Sequence, residues 1–309
     1  MVMDSSILSI IIPAFNEEQA IQQTLKELRK TPELKHAEII VVDDGSTDQT
    51  AKRAASVPGI HVLRHKENIG YGAAIKTAVR ASKRDFVCWY DADGQHRPEN
   101  LVRLVQRVQE EDADWGLGIR GKDSPEILKR KLGKILLRLA VQIASRRKVA
   151  DFNTGLRVFR TKWLVTYLHL LPNGFSASTT TTLLMIERGY RCAEVEIKTE
   201  RRIGRSQVHL LRDGVRTLLL ILRILLLFRA MLLFFIPGIL MLLSGIIYSL
   251  WVMSINRMGF PIAGLLVIVT GVLTIFMSLI ADQLSQMRLE RFEDIAHPSY
   301  QESKGDSEP

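Results

Sequence analysis

Apolar and polar positions in the first part of the chain follow two alternating rhythms. Leu8-Ser9-Ile10-Ile11-Ile12, Glu38 to Val42, His61-Val62-Leu63 and Phe86 to Tyr90 are short runs of strand length and strand composition. Between them, Glu17 to Lys30 has helical spacing, with Ile21, Leu25 and Leu28 on one face, and Gly70 to Ser82 reads as another helix. Pro13 is expected to stop the first strand. Glu17 and Glu18 would then occupy the first helical turn, where acids suit the positive end of the helix dipole. The second strand is almost wholly apolar, as buried parallel strands are. From Leu8 to about Trp115 this alternation predicts an α/β fold with a doubly wound, mainly parallel sheet.

The pattern changes towards the C-terminus. No Lys, Arg, Asp or Glu occurs from Ala230 to Asn256 or from Met258 to Ala281. Each stretch exceeds the roughly 20 apolar residues that span a bilayer. The short break Ser254 to Pro261 carries only Arg257, and Asp282 closes the second stretch. Two transmembrane helices are expected, about 231–252 and 261–281, joined by a tight hairpin. Arg201, Arg202, Arg205, Arg212, Arg216, Arg223 and Arg229 precede the first span. Basic residues flanking a span mark its cytoplasmic side. The expected protein is therefore a multi-pass protein of the inner (plasma) membrane with its bulk and its tail in the cytoplasm. The expected division is 1–206 as the catalytic domain, 207–229 as an interfacial amphipathic helix, 230–282 as the hairpin and 283–309 as a partly disordered tail. Arg130, Lys134 and Arg138 recur at helical spacing opposite Leu132, Leu136, Leu139 and Ile143, as in a helix lying on a membrane. Gly238, Gly245, Gly264 and Gly271 would let the spans pack closely, which leaves room for a homo-oligomer.

Charge narrows the partners. The net charge is +9 and the sequence pI about 9.6, a balance that suits nucleic acid, an anionic membrane surface or a phosphorylated substrate. Met1 to Ser6 lacks the basic start of a signal peptide. Cys88 and Cys192 lie in apolar strand-like runs, so packing is expected of them rather than a disulfide or a metal site. His96, His169 and His209 show no metal-ligand spacing and are given no role.

The most informative chemistry is Asp91-Ala92-Asp93 at the end of the run Phe86 to Tyr90. Residues i and i+2 of an extended chain point to the same side. Both acids would project together at the strand's carboxyl end, where open α/β sheets bind ligands. Like charges so placed repel unless a cation lies between them. Oxygen ligands suit Mg²⁺ or Mn²⁺, with substrate phosphates completing the shell. Pro13-Ala14-Phe15-Asn16-Glu17 and Asp43-Asp44-Gly45-Ser46 follow the first two strands; each is a nucleotide-loop candidate, although taken singly helix capping is the stronger reading. Asn68-Ile69-Gly70-Tyr71-Gly72 has G-x-G without the third glycine, giving a dinucleotide fold little support.

Together these segments resemble family 2 glycosyltransferases of GT-A fold. The residues that carry the resemblance are Ile12 to Glu18, Val41 to Asp48, Asn68 to Gly72 and Asp91 to Gln95, in that order. Asp151-Phe152-Asn153-Thr154-Gly155-Leu156-Arg157 and Arg202-Ile203-Gly204-Arg205-Ser206-Gln207 further resemble the polyprenyl-phosphate group, similar to dolichol-phosphate mannosyltransferases and undecaprenyl-phosphate relatives. The group's pattern has Ser at the position of Thr154 and Lys at that of Gln207. The Q-x-x-R-W string of processive synthases does not occur. Ser176 to Thr182 resembles the acceptor-side helix of the family; helix capping explains its hydroxyls equally well.

The resemblance implies an inverting transfer of a hexose from a UDP- or GDP-linked donor to a polyprenyl phosphate. It assigns the nucleotide to Pro13, Phe15, Glu17, Asp43, Asp44 and Asp91, and an Mg²⁺ or Mn²⁺ cofactor to Asp91, Asp93 and Gln95. The acceptor phosphate falls to Arg120, Arg130, Arg157, Arg202 and Ser206, and catalysis to Asp91, Asp93, Asp151 and Arg202. The expected partners are thus the nucleotide sugar, the lipid phosphate and the membrane, with no nucleic acid. An acceptor phosphate is already an anion, so Asp151 is expected to organise the acceptor pocket rather than act as an obligatory base. Two other readings remain at this level: the same fold acting on a lipid hydroxyl, which would need a base, and a non-catalytic membrane-bound subunit, which would need neither Asp91 nor Asp93.

Overall fold

The computed structural model describes residues 4–121, 139, 142–143, 154–174, 176–200, 219, 221–256 and 259–290. The chain divides into two compact units. The described residues up to 200, apart from 139 and 142–143, form the first; those three and the residues from 219 onward belong to the second.

The first unit is built on a seven-stranded sheet: β1 (Leu8–Ala14), β2 (Glu38–Asp43), β3 (Ile60–Arg64), β4 (Phe86–Trp89), β5 (Trp115–Arg120), β6 (Arg157–Arg160) and β7 (Cys192–Ile197). Its order is β3-β2-β1-β4-β6-β5-β7. Strands β1 to β4 pair in parallel, β5 pairs in parallel with β7, and β6 runs antiparallel between β4 and β5. The expected sheet is therefore mixed and mainly parallel. Helices α1 (Ile21–Lys30), α2 (Thr50–Ala55), α3 (Tyr71–Ala81) and α4 (Pro98–Glu110) connect the parallel strands. Thr161–Thr166 forms α5 and Ala177–Glu187 forms α6. Every residue of β1 is buried, and Ile10, Ile12, Val41, Leu25, Leu101 and Val105 lie in one continuous core.

Two boundaries differ from the sequence expectation. Strand β1 runs on through Pro13 to Ala14. The pairing of β1 with β4 ends at Ile11 opposite Trp89, whereas its pairing with β2 continues to Ala14 opposite Asp43. Pro13 thus lies beyond the β4 ladder, where a missing N–H costs nothing. Helix α1 starts at Ile21, four residues later than Glu17. The peptide N–H groups of Ala20 and Ile21 turn onto the Glu17 carbonyl, and Glu18 Oε2 accepts from Gln49 N at 3.2 Å. The two acids serve the loop, and no acid lies in the first turn of α1.

The second unit contains α7 (Ala230–Asn256) and α8 (Ile262–Glu290). At 1.5 Å per residue they run about 40 Å each, more than the hydrocarbon core of a bilayer. Only 17% of each most apolar window is buried within the protein. The core helices of a soluble domain would hide most of it. Glycines set the approach of the pair: a Cβ on Gly245 would lie 3.0 Å from Ile268 N, and one on Gly271 would lie 2.6 Å from Leu242 N. Ser249 Oγ donates to the Gly245 carbonyl at 2.7 Å and Ser278 Oγ to that of Met231 at 3.0 Å. Hydroxyls without water in reach are thereby satisfied.

Candidate active site

The carboxyl ends of β1, β2, β3, β4, β5 and β7 share one edge of the sheet with the amino end of β6. Most expected site residues lie along it. The loops after β1 and β2 are laced together. Asn16, with φ +55°, accepts Thr47 N on its Oδ1 at 2.9 Å, and its own N–H donates to Ser46 Oγ at 2.9 Å. Glu17 N donates to Thr50 Oγ1 at 2.9 Å, and Asp44 N to the Ala14 carbonyl at 2.8 Å. Pro13, Phe15, Glu17, Asp43 and Asp44 are thus held as one group.

Asp43 and Asp44 are both buried, in different settings. Asp43 Oδ2 lies 3.0 Å from Arg64 Nε, and its Oδ1 accepts Ser46 N at 3.3 Å. Asp44 Oδ1 lies 2.7 Å from His65 Nδ1 and accepts Ile69 N at 3.1 Å; its Oδ2 accepts Gly70 N at 2.7 Å. His65 Nε2 meets Thr77 Oγ1 at 2.9 Å. Asp44 is therefore bound into the loop that leads to α3.

That loop explains the glycines of Asn68 to Gly72. Ala73 N donates to the Asn173 carbonyl at 3.1 Å. A Cβ on Gly72 would lie 2.0 Å from the Pro172 carbonyl, and one on Gly70, which has φ +114°, would lie 2.5 Å from that of Asn173. The two glycines admit a neighbouring stretch of backbone rather than a dinucleotide.

Asp91 and Asp93 follow β4 directly. The Asp91 side chain is 28% exposed and Asp93 is largely buried. Asp93 Oδ1 accepts Gln95 N at 3.1 Å, and Gly94 takes φ +72° to make that turn. Asp91 Oδ1 accepts from the Tyr71 hydroxyl at 3.3 Å, and Oδ2 lies 3.9 Å from His96 Nε2. A Cβ on Gly155 would fall 1.7 Å from Asp91 Oδ2, so only glycine leaves that carboxylate its place. Burial and then the Asp91 charge raise the Tyr71 phenol well above its ordinary range, which keeps the proton it donates. Gln95 is anchored by its carbonyl, which accepts Glu200 N at 2.9 Å. Arg97 Nε donates to Glu200 Oε1 at 2.6 Å. The loop bearing both acids is so fastened to the segment leaving β7.

Arg157 departs from its expected role. It is fully buried, where an acceptor phosphate would not reach it. Its Nε donates to the Thr154 carbonyl at 2.8 Å and an Nη to the Ser178 carbonyl at 2.6 Å and Thr182 Oγ1 at 2.8 Å. Its guanidinium carbon lies 5.6 Å from the centre of the Trp89 ring. Arg157 ties β6 to α6 beneath the site. The hydroxyl-rich stretch is itself part of α6, and Thr181 Oγ1 donates to the Ala177 carbonyl at 2.7 Å. Arg120 ends β5 at the same edge and is exposed. Arg130, Asp151, Arg202 and Ser206 lie outside the described residues, as do Arg212, Arg216 and the tail beyond Glu290; residues 283–290, expected as tail, continue α8 instead.

Sequence reasoning passed over Tyr71, His96 and Gly155 as neighbours of Asp91. His96 lies three residues beyond Asp93, and Tyr71 sits inside a segment already singled out, so proximity along the chain was a usable signal for the first. Nothing in the sequence brings Gly155 to Asp91.

Comparison with known proteins decides the family. Residues 9–168 match the family model described as glycosyl transferase family 2. The chain belongs to this family. An uncharacterized protein of Methanocaldococcus jannaschii is 33% identical over 198 residues, covering 62% of this chain and 80% of the relative. An undecaprenyl-phosphate 4-deoxy-4-formamido-L-arabinose transferase of Pectobacterium carotovorum is 30% identical, covering 69% of this chain and 65% of its own length. A UDP-N-acetylglucosamine–dolichyl-phosphate N-acetylglucosaminyltransferase of Methanococcus voltae is 27% identical over 51% of this chain and 70% of the relative. The chain of this glycosyltransferase is thus similar to enzymes named for polyprenyl phosphates. In fold it resembles glucosyl-3-phosphoglycerate synthase from Mycobacterium tuberculosis, solved with Mn²⁺ and UDP: the TM-score is 0.57 at 20% identity, over 71% of this chain and 78% of that one. The sheet is accordingly of GT-A type.

Proposed function

We propose that this glycosyltransferase moves a hexose from a UDP- or GDP-linked donor to a polyprenyl phosphate at the cytoplasmic face of the membrane, with inversion at the sugar carbon. The observation that carries the reading is the pair Asp91 and Asp93 at the carboxyl end of β4, on the same sheet edge as the interlocked loops after β1 and β2. The names of the relatives support the lipid acceptor, and the two long apolar helices support a membrane setting.

The donor set suits a hard divalent cation. Asp91, Asp93 and the Gln95 amide offer oxygen, the preference of Mg²⁺ and Mn²⁺. Among the described residues no three His, Cys, Asp or Glu side chains converge on one point. One or two carboxylates with diphosphate oxygens and water is the usual Mg²⁺ arrangement, so two acids suffice. When bound, the ion supplies Lewis-acid stabilisation of the departing diphosphate.

The chain's own residues do the rest. The loops after β1 and β2 hold the nucleoside. Asp91, fixed on one side by Tyr71 and on the other by Gly155, orients the diphosphate end. An oxygen of the ionised acceptor phosphate attacks the anomeric carbon, the bond from that carbon to the β-phosphate oxygen breaks, and the nucleoside diphosphate leaves with the electron pair. No proton must be removed from the nucleophile, so Asp151 acts as an organiser. Arg120, Arg130 and Arg202 form the cationic clamp that lets two anions meet; arginine suits phosphate through its planar donor fork.

The test is direct. Purified full-length protein is given labelled UDP- and GDP-sugars with undecaprenyl phosphate and Mn²⁺. Lipid-extractable label that disappears with EDTA is the expected result. Transfer that persists in an Asp91→Ala, Asp93→Ala double variant would overturn the metal assignment, and label found only in a water-soluble product would overturn the acceptor.

A further inference from the structure

The phenol of Tyr71 stands between the two halves of the donor site. We propose that Tyr71 is a positioning residue that holds Asp91 in its ligating orientation and ties it to the nucleoside-side loops. The inference rests on the reading of Asp91 as a metal ligand.

Tyr71 is fixed before its side chain begins. The two residues ahead of it, Ile69 and Gly70, donate their N–H groups to Asp44. The residue after it, Gly72, abuts the Pro172 carbonyl, and Ala73 N is bonded to that of Asn173. The first turn of α3 is therefore clamped between the loop after β2 and the stretch leading into α6. From that clamp the phenol reaches Asp91 Oδ1 at 3.3 Å, and Ser178 of α6 adjoins the phenol. The other carboxylate oxygen, Oδ2, faces Gly155 and His96. A donor on one oxygen and backbone against the other select one carboxylate orientation. Partners that orient a ligating side chain typically contribute 10–100-fold to metal affinity. The same tyrosine is one peptide bond from the residues Asp44 holds, so nucleotide contact at Asp43 and Asp44 and cation binding at Asp91 share one rigid connection.

The experiment is a Mn²⁺ titration of the full-length chain in detergent, followed by electron paramagnetic resonance, with and without UDP or GDP. Tyr71→Phe keeps the ring and removes only the donor. It is expected to weaken Mn²⁺ binding about tenfold, to reduce the gain in Mn²⁺ affinity that nucleotide brings, and to lower kcat more than it raises the donor KM, with the thermal midpoint unchanged. Ser178→Ala keeps the donor and removes only a neighbour of the phenol; it should weaken binding by a smaller factor than Tyr71→Phe does. Wild-type Mn²⁺ affinity in Tyr71→Phe overturns the role of Tyr71. Asp91→Asn reports on the underlying reading: if it binds Mn²⁺ like wild type, the cation is not at Asp91, whatever Tyr71→Phe does.

Discussion

At the scale of single residues, space and hydrogen bonding at Asp91 are stricter than charge. Gly155 abuts the carboxylate, and a methyl group there would displace it. Misplacing a reacting centre by about 1 Å costs on the order of 100-fold. Gly155→Ala should therefore lower kcat/KM about 100-fold while melting within a few degrees of wild type; near-normal turnover would show that Asp91 tolerates another position. Arg157 carries a different load. Replacing it by Met removes the Arg157 donor from the Thr154 carbonyl and from Thr182 Oγ1 in a closed interior, a loss of about 3 kcal/mol. Chemical denaturation measures it, and an unchanged midpoint would contradict the burial. The cysteines give a third residue-scale prediction. Burial pushes both thiols up, and Glu194 adds to the effect at Cys192. The reactive form is the thiolate, so both stay inert at about pH 8. Mass spectrometry after iodoacetamide should find two labels on the unfolded chain and none after brief exposure of the folded one.

At the scale of elements, the joint between α3 and the stretch before α6 stands out. Gly72→Ala would press a methyl into the Pro172 carbonyl and cost about 2 kcal/mol, as overpacking does; unaltered thermal stability would show that the joint yields. How far the elements were legible follows from where their information lies. The parallel strands and their helices announce themselves by period, because each buries its own apolar face. The reach of β1 past Pro13 does not, since it depends on β4 ending two residues earlier. The late start of α1 escapes for a similar reason: Glu18 is bonded to Gln49, which is distant in sequence. Asp91 and Asp93 were legible because a strand end and a spacing of two define them. Arg157 looked like a phosphate ligand because a buried arginine and an exposed one share the same letter. Only the packing of α6 against it tells them apart.

At the scale of the whole molecule, the hairpin glycines face each other across α7 and α8. They are occupied within one chain, so any homo-oligomer must use another surface. Gly245→Leu should lower the thermal midpoint of the detergent-solubilised protein and leave its mass by light scattering unchanged. A change of oligomeric state at constant stability would contradict this. The orientation is a separate prediction: a reporter at the N-terminus should be active in the cytoplasm, as should one at the C-terminus, because the basic residues gather before the first span.

Strand β6 enters the sheet against the direction of its neighbours. Arg120 and Gly121 leave the sheet and Thr154 and Gly155 return to it at the same edge, Gly118 N bonding the Leu156 carbonyl at 3.0 Å. The chain therefore leaves β5 and enters β6 at the edge that also carries Asp91. The entry to β6 carries the glycine that touches Asp91, so a change in the last residues before β6 would be felt directly at that carboxylate.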